Sequence, residues 1–351
     1  MGDINENIKE YYGKVLQSTA DLKSKACCCS PSSASKEVKE TLTLIADEVA
    51  ARYYGCGSPL PPLLDGMTVL DLGCGSGLDV YVAAKLVGEH GKVIGVDMTP
   101  EQLDVARKYE DEQRRRFGYS KSNTHFINGY IEDLRSAGIE ENSVDVVISN
   151  CVINLSPHKE KVFEEIRRVL KPGGELYFSD VFADRRIPDH LATDPVLRGE
   201  CIGGAMYVED FRRMMQRTGF TDFRYKSIRK LDLDNEAIIE KIGFANFTER
   251  TVRAFKLDDL EDICEDYGQV AVYTGNIPDY PHFFDLDDHH RFFTGKPLLV
   301  CGNTASMLEN TRYASAFKII GDRSTHYGAF DGCGTSSEDD RPDNGGGSCC
   351  C

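Results

Sequence analysis

What this chain lacks narrows its possible roles first. No stretch of its 351 residues approaches the roughly 18 consecutive apolar residues needed to cross a bilayer. The opening MGDINENIKE is polar and acidic, unlike a secretory leader or a transit peptide. An N-myristoylation pattern needs Ser or Thr at position 6, where this chain has Glu6, and the final SCCC puts Ser348 where a prenylation box carries cysteine. Basic charge is scarce: 41 Lys and Arg face 57 Asp and Glu, a formal charge of −16. That balance argues against nucleic acid or an anionic membrane surface as a partner. The one basic run, Arg114-Arg115-Arg116, reads as the solvated end of a mixed-charge helix. The expectation is a cytoplasmic monomer.

Paired-cysteine motifs are missing as well. There is no CxxC and no Cys/His quartet at zinc-finger spacing. Yet cysteine is abundant, with thirteen in the chain, an odd total that in a reducing compartment points to free thiols and not a disulfide framework. They are scattered, apart from the runs Cys27-Cys28-Cys29 and Cys349-Cys350-Cys351.

What is present is a βα alternation. Residues 6–17 place Ile8, Tyr11, Tyr12, Val15 and Leu16 on one side of a short helix, and a second helix starts near Ser35 with Val38, Leu42, Ile45 and Val49. Strands are expected at 68–72, 92–97, 124–130, 144–149 and 175–181, and helices at 79–87, 100–117 and 158–170, with a turn at KPGG. Short loops between alternating elements mean a parallel sheet wrapped by helices, an α/β fold. From about residue 195 the pattern shifts: YVEDFRRMMQRTGF reads as helix, and FRYKSIRKLDL and RTVRAFKL as strands. The expected division is 1–60, N-terminal helices and a Cys-bearing loop; 61–194, the parallel-sheet domain; 195–285, a smaller α+β domain; 286–335, an extension; and 336–351, a disordered tail.

The loop VLDLGCGSGLD, residues 69–79, joins the first strand to the first helix. Gly73, Gly75 and Gly77 give GxGxG, where backbone turns sharply and a ligand comes close. Asp71 precedes the loop, and Asp97 ends the second strand twenty residues after Gly77, placed to accept hydrogen bonds from ribose hydroxyls. Asp71 would repel a pyrophosphate, so a phosphate-free adenosyl ligand suits the loop better than NAD; an NAD-dependent oxidoreductase is the competing reading. Over about residues 65–182 the combination resembles the class I S-adenosylmethionine-dependent methyltransferases, with a Rossmann-like sheet. The resemblance implies Asp71, Gly73, Gly75 and Gly77 near the methionine part, Asp97 on the ribose, Met98 and Gln102 beside the adenosine, and Ile131 and Glu132 flanking adenine. Cys74, inside the loop, reads as packing.

Ligands of open α/β sheets lie outside the carboxyl ends of the strands, where Asn150 and Cys151 follow the strand VDVVIS. Three readings compete for Cys151: a buried structural thiol, a nucleophile that takes the methyl group, or one ligand of a soft metal or metalloid that takes it. Cys201 lies in LRGECIGGAMY, Cys56 in RYYGCGSP and Cys27 in DLKSKACC. Glycine-flanked, accessible thiols in separate segments point to convergence on one ligand.

The stretches YYGKVLQSTADLKSKAC, VAARYYGCG, ISNCVINL, KPGGELYFSDV and GECIGGA resemble the arsenite S-adenosylmethionine methyltransferases over about residues 10–285, with four cysteines in register. That resemblance implies trivalent arsenic held by Cys56, Cys151 and Cys201, with Cys27 a fourth, redox-active thiol able to pair with Cys56. It implies S-adenosylmethionine as cofactor and arsenite and methylated arsenite, as thiol conjugates, as substrates. Products methylated once or several times are expected, with glutathione or thioredoxin as external reductant. Leu78 stands before Asp79 where the family often has arginine, and Cys28 and Cys29 are extra thiols.

The chemistry is consistent. Trivalent arsenic is soft and pyramidal, and its lone pair lies opposite three sulfurs; the nucleophile carries no proton, so no general base is needed and orientation is the main contribution of the protein. Methylation oxidises arsenic, and its reduction draws electrons from thiols and leaves a disulfide. Cys264, Cys301 and Cys333 read as ordinary packed or surface thiols, and DLDDHHRFF, 285–293, as a surface loop in preference to a metal site. Two other classes compete: a methyltransferase of a small organic molecule, and a thiol-rich metal-binding protein without catalysis.

Overall fold

A computed structural model describes residues 8, 9, 11, 35–55 and 59–331. Cys27, Cys28, Cys29, Cys56, Cys333 and the last three cysteines lie outside these residues, as do most of the 6–17 helix and the tail expected to be disordered.

Five parallel strands, β1 (Thr68–Leu72), β2 (Lys92–Asp97), β3 (Thr124–Asn128), β4 (Val144–Asn150) and β5 (Leu170–Ala183), form the first part of an eight-stranded sheet. The short β6 (Met206–Tyr207) pairs with β5. Two further strands, β7 (Phe223–Leu231) and β8 (Phe247–Phe255), complete the order β3-β2-β1-β4-β5-β8-β7, with β8 antiparallel to both neighbours. The central strands read as uniform apolar runs because both faces are covered. Leu70, Leu72 and Val147 pack on one side with Phe163 and Phe178, whereas Val69, Val146 and Ile148 pack on the other with Tyr81 and Val49. Alternate residues of a strand point to opposite faces, so each strand feeds both cores.

Expected elements shift in three places. The helix from Ser35 divides into Lys36–Leu42, capped by Ser35 Oγ accepting from Val38 N, and Asp47–Ala51. The 100–117 helix divides into Pro100–Lys108 and Glu110–Phe117 at Tyr109, whose hydroxyl donates to Glu48 across the fold at 2.6 Å. KPGG makes no separate turn: β5 runs through it, with Gly173 at φ +76° and a register shift against β4. The boundary at 195 is not a break in the sheet: β6 beyond it runs parallel to β5, and β8 reverses direction. β8 is tied to β5 by Arg253, which donates through Nε and Nη2 to Glu175 at 2.8 and 2.6 Å, both residues being fully buried.

The C-terminal part builds its own three-stranded antiparallel sheet from Pro297–Val300, Gln269–Tyr273 and Phe317–Ile320. It spans the 285/286 division and has an aromatic core of Tyr273, Phe284, Phe292, Tyr313 and Phe317. Among the described residues, no helix is long and apolar enough to cross a membrane.

Candidate active site

Strand order reverses between β1 and β4, with β2 and β3 on one side and β5 on the other. Such a switch point opens a crevice at the carboxyl ends of the strands. Here it forms a cleft lined by Asp71, Gly73, Gly75, Asp97, Met98, Gln102, Ile131, Glu132 and Asn150, nine of the ten residues expected around the cofactor, together with Cys151. Gly77 does not line it. At φ +90° it starts the helix Leu78–Leu86, and a Cβ there would press on the Phe126 ring at 3.0 Å, so it seats helix against strand.

Three aspartates converge on this cleft. Asp97 accepts from Gly75 N at 2.9 Å and Thr99 N at 2.7 Å, which fixes the glycine loop to the end of β2. Burial raises its pKa, opposed by those two backbone donors. Burial pushes Asp71 well above the usual carboxylate range, and the charges of Asp79 and Asp97 add to the effect. Burial also lifts Asp79 to about 6, opposed by the hydrogen bond from Asn150 Nδ2 at 2.9 Å. Arg52 lines the cleft too, with Glu48 at 4.0 Å as its own ion-pair partner. Clustered buried carboxylates that raise one another's pKa are relieved by a cationic ligand. A sulfonium carrying an amino group and a ribose, with no phosphate, fits this donor set; a pyrophosphate does not.

The loop glycines differ in role. Val152 fills the place a Cβ would take at Gly73, whereas Gly75 has open space where a Cβ would be. Cys74 lines the cleft, but burial, then Asp97 and Asp71, push its thiol well above the ordinary range, so it is a poor thiolate and its packing role stands.

Cys151 comes directly after β4, and its N–H donates to Ser179 O at 2.8 Å. Its φ is +57°, and that of Cys201 is +62°. Non-glycine residues rarely adopt this region, and such strain concentrates at functional sites. The Sγ of Cys201 donates to the Cys151 carbonyl at 3.0 Å. Cys201 is reduced.

Neither sulfur is accessible, and the glycines near Cys201 do not expose it: Cys151 is 2% exposed and Cys201 is fully buried. The glycines serve backbone approach. Gly204 sits so close to the Asn154 carbonyl that no Cβ fits, which presses the Cys201 loop onto the turn after Cys151. Arg198 Nη2 donates to Leu155 O at 2.6 Å and holds the same contact. Ile8, Leu155, Leu197 and Ile202 surround the pair with apolar atoms, and Met98 packs against them.

Residues 52–55 also line the cleft. Gly55 lines the cleft and lies against the Asn150 amide with no room for a Cβ. Cys56 is the next residue in the chain, outside the described residues, as is Cys27.

Residues lining the cleft and one behind it escaped the sequence reading. Tyr53 OH accepts from Asn150 Nδ2 at 2.5 Å, and Ser156 Oγ donates to Glu132. Asp180, raised to about 7 by burial despite backbone donors, accepts from Asn154 N at 3.0 Å and pins the turn after Cys151. The doubled tyrosine in RYYGCG was the only signal for the first.

Comparison with known proteins agrees with this geometry. Residues 63–219 match the methyltransferase domain family, and residues 267–344 match the arsenite methyltransferase C-terminal domain. The arsenite methyltransferase of Aquipseudomonas alcaligenes is 52% identical over 96% of this chain and 97% of its own length. That of Homo sapiens is 39% identical over 90% of this chain and 84% of its own. The crystal structure of an arsenic(III) S-adenosylmethionine methyltransferase from Chlamydomonas reinhardtii superposes with a TM-score of 0.82, at 52% identity, covering 85% of this chain and 99% of that one.

Proposed function

Since the chain belongs to the arsenite methyltransferases and transfers methyl groups from S-adenosylmethionine to As(III), we propose that Cys56, Cys151 and Cys201 hold the arsenic atom. The observation that carries this is the contact between the Cys151 and Cys201 loops beside the cleft. Three thiolates match the valence and softness of As(III), and an oxygen ligand does not. The apolar surroundings of the pair exclude water from the substrate. No histidine lines the cleft among the described residues, and none is needed, because arsenic attacks through a lone pair that carries no proton.

When bound, S-adenosylmethionine supplies an electrophilic methyl group on a sulfonium sulfur. Asp71 and Asp79 place negative charge toward its methionine end, and Asp97 accepts from the ribose hydroxyls. Met98, Gln102, Ile131 and Glu132 enclose the adenosine, Gly73 and Gly75 let the loop approach, and Asn150 lines the cleft next to Cys151. Gly77 acts through the helix it starts.

Methyl transfer leaves arsenic pentavalent. Its return to As(III) takes two electrons, supplied as two thiolates become one disulfide. We assign Cys27 to the same cycle through pairing with Cys56, and glutathione or thioredoxin to reopening the bridge. The reduced Cys74, Cys201, Cys264 and Cys301 fit a cytoplasmic setting, with the chain working as a monomer.

Incubation with arsenite, S-adenosylmethionine and a reduced thiol, followed by chromatographic speciation, is expected to yield mono- and dimethylated arsenic. Folded protein that yields no methylated arsenic contradicts the assignment.

A further inference from the structure

Two cysteines that read as bystanders flank one arginine between the main sheet and the C-terminal part. Cys264 precedes the short strand Glu265–Asp266, and Cys301 caps the helix Gly302–Glu309. Arg224, on edge strand β7, reaches both with one nitrogen: its Nη2 lies 3.7 Å from Cys264 Sγ and 3.8 Å from Cys301 Sγ. The two sulfurs are therefore at most 7.5 Å from one another. Neither is in a disulfide.

This is no apolar pocket of the kind that holds inert thiols. Cys301 Sγ accepts from Thr304 N at 3.4 Å and sits 3.2 Å from Thr304 Oγ1. A guanidinium and a helix N-terminus together are the surroundings that favour a thiolate. Arg224 is itself held rigidly, by Asp222 at 2.9 and 2.7 Å and by Asp287 at 3.5 Å. Asp287 is fixed in turn by His290, whose Nδ1 lies 2.9 Å from both carboxylate oxygens. The segment DLDDHHRFF, expected to be a surface loop, thus buries Asp287 and His290 as support for this cluster. Asp287, Asp288 and His289 could gather around a cation, but Asp287 is already committed to Arg224 and His290.

We propose that Cys264 and Cys301 form a second, dithiol site for a monosubstituted trivalent arsenical, separate from the catalytic thiols. Such a compound, R–As(OH)2, has two exchangeable valences, matching two thiols where arsenite has three. Two As–O bonds break and two As–S bonds form. Each thiol proton leaves in a water molecule, arsenic stays trivalent, and no electrons move. Arg224 orients both sulfurs. Cys264 is partly exposed and gives the entry point, with Cys301 closing the ring from below. The site rests on the reading that this chain produces methylated As(III), since the monomethylated product is the natural member of that class.

Phenylarsine oxide, a monosubstituted trivalent arsenical, is the probe. In pre-reduced full-length protein, the rate at which iodoacetamide alkylates Cys264 is followed by peptide mass spectrometry. With probe at ten times its dissociation constant, that rate is expected to fall about tenfold. In Cys301→Ser, where serine keeps the helix cap, the probe is expected to leave the Cys264 rate unchanged. An unchanged rate in the wild type overturns the proposal without recourse to any variant, as does equal protection in Cys301→Ser. Methyl transfer to arsenite is measured on the same wild-type preparation. Activity with unprotected Cys264 removes the second site alone; protection without activity upholds the site and removes the catalytic reading on which its natural ligand rests.

Discussion

Cys151→Ser is expected to lower methyl transfer to arsenite by about a thousandfold or more, since displacement of a reacting atom by about 1 Å already costs about a hundredfold. Serine keeps the size of the side chain but replaces a soft sulfur with a hard, protonated oxygen that binds As(III) poorly. Two losses combine. The substrate is held less tightly, and the remaining sulfurs no longer fix the direction of its lone pair. The left-handed backbone at Cys151 (φ +57°) and the Cys201 Sγ bond to its carbonyl lie in the main chain, so the variant retains its turn. Thermal unfolding within a few degrees of wild type, with activity lost, separates ligand chemistry from misfolding. Unfolding far below wild type would instead place Cys151 among the structural thiols.

The second large effect is expected at the carboxylates. Asp71→Asn should raise the dissociation constant of S-adenosylmethionine about 10- to 100-fold, the range for removing a hydrogen bond to a charged group. The direction with pH follows from Asp79. Burial raises its pKa from an ordinary carboxylate value to about 6, so the protonated form favours the folded apo protein at low pH, and that contribution is lost as pH rises through about 6. A cationic ligand reverses the preference because it favours the ionised carboxylate. Cofactor affinity, and the rise in unfolding temperature that the cofactor produces, should therefore increase through about pH 6 and level off above it. Calorimetric titration across that window reads both. Affinity that falls with rising pH would exclude Asp79 from the cofactor site.

Much of this site was legible because its residues sit at strand ends. Asp97 and Asn150 close β2 and β4, Asp71 is next to last in β1, and a parallel sheet brings those ends to one edge whatever the loops do. Short-range rules also found the glycine loop, although they could not say that Gly77 packs against Phe126 and stays out of the cleft. What escaped was tertiary. Tyr53 and Asp79 join Asn150 from separate segments, and no local pattern announces that meeting. The glycines beside Cys201 spoke of exposure, yet the same lack of a side chain lets Gly204 bury the loop against Asn154. The alternating pattern of 223–255 identified strands without saying which sheet they join; the buried Arg253–Glu175 pair decides that. Cys264 and Cys301 looked unrelated because the residue linking them, Arg224, lies on another strand.

The most direct test of the three-thiol assignment is single-turnover methyl transfer to two substrates, arsenite and monomethylated arsenite, by Cys56→Ser, Cys151→Ser and Cys201→Ser. Arsenite has three valences to fill and the monomethylated form two, and Cys151 and Cys201 are the pair in direct contact. Cys151→Ser and Cys201→Ser are therefore expected to fail on both substrates, whereas Cys56→Ser fails on arsenite and still methylates the monomethylated form. Wild-type turnover of either substrate by Cys151→Ser would contradict the assignment.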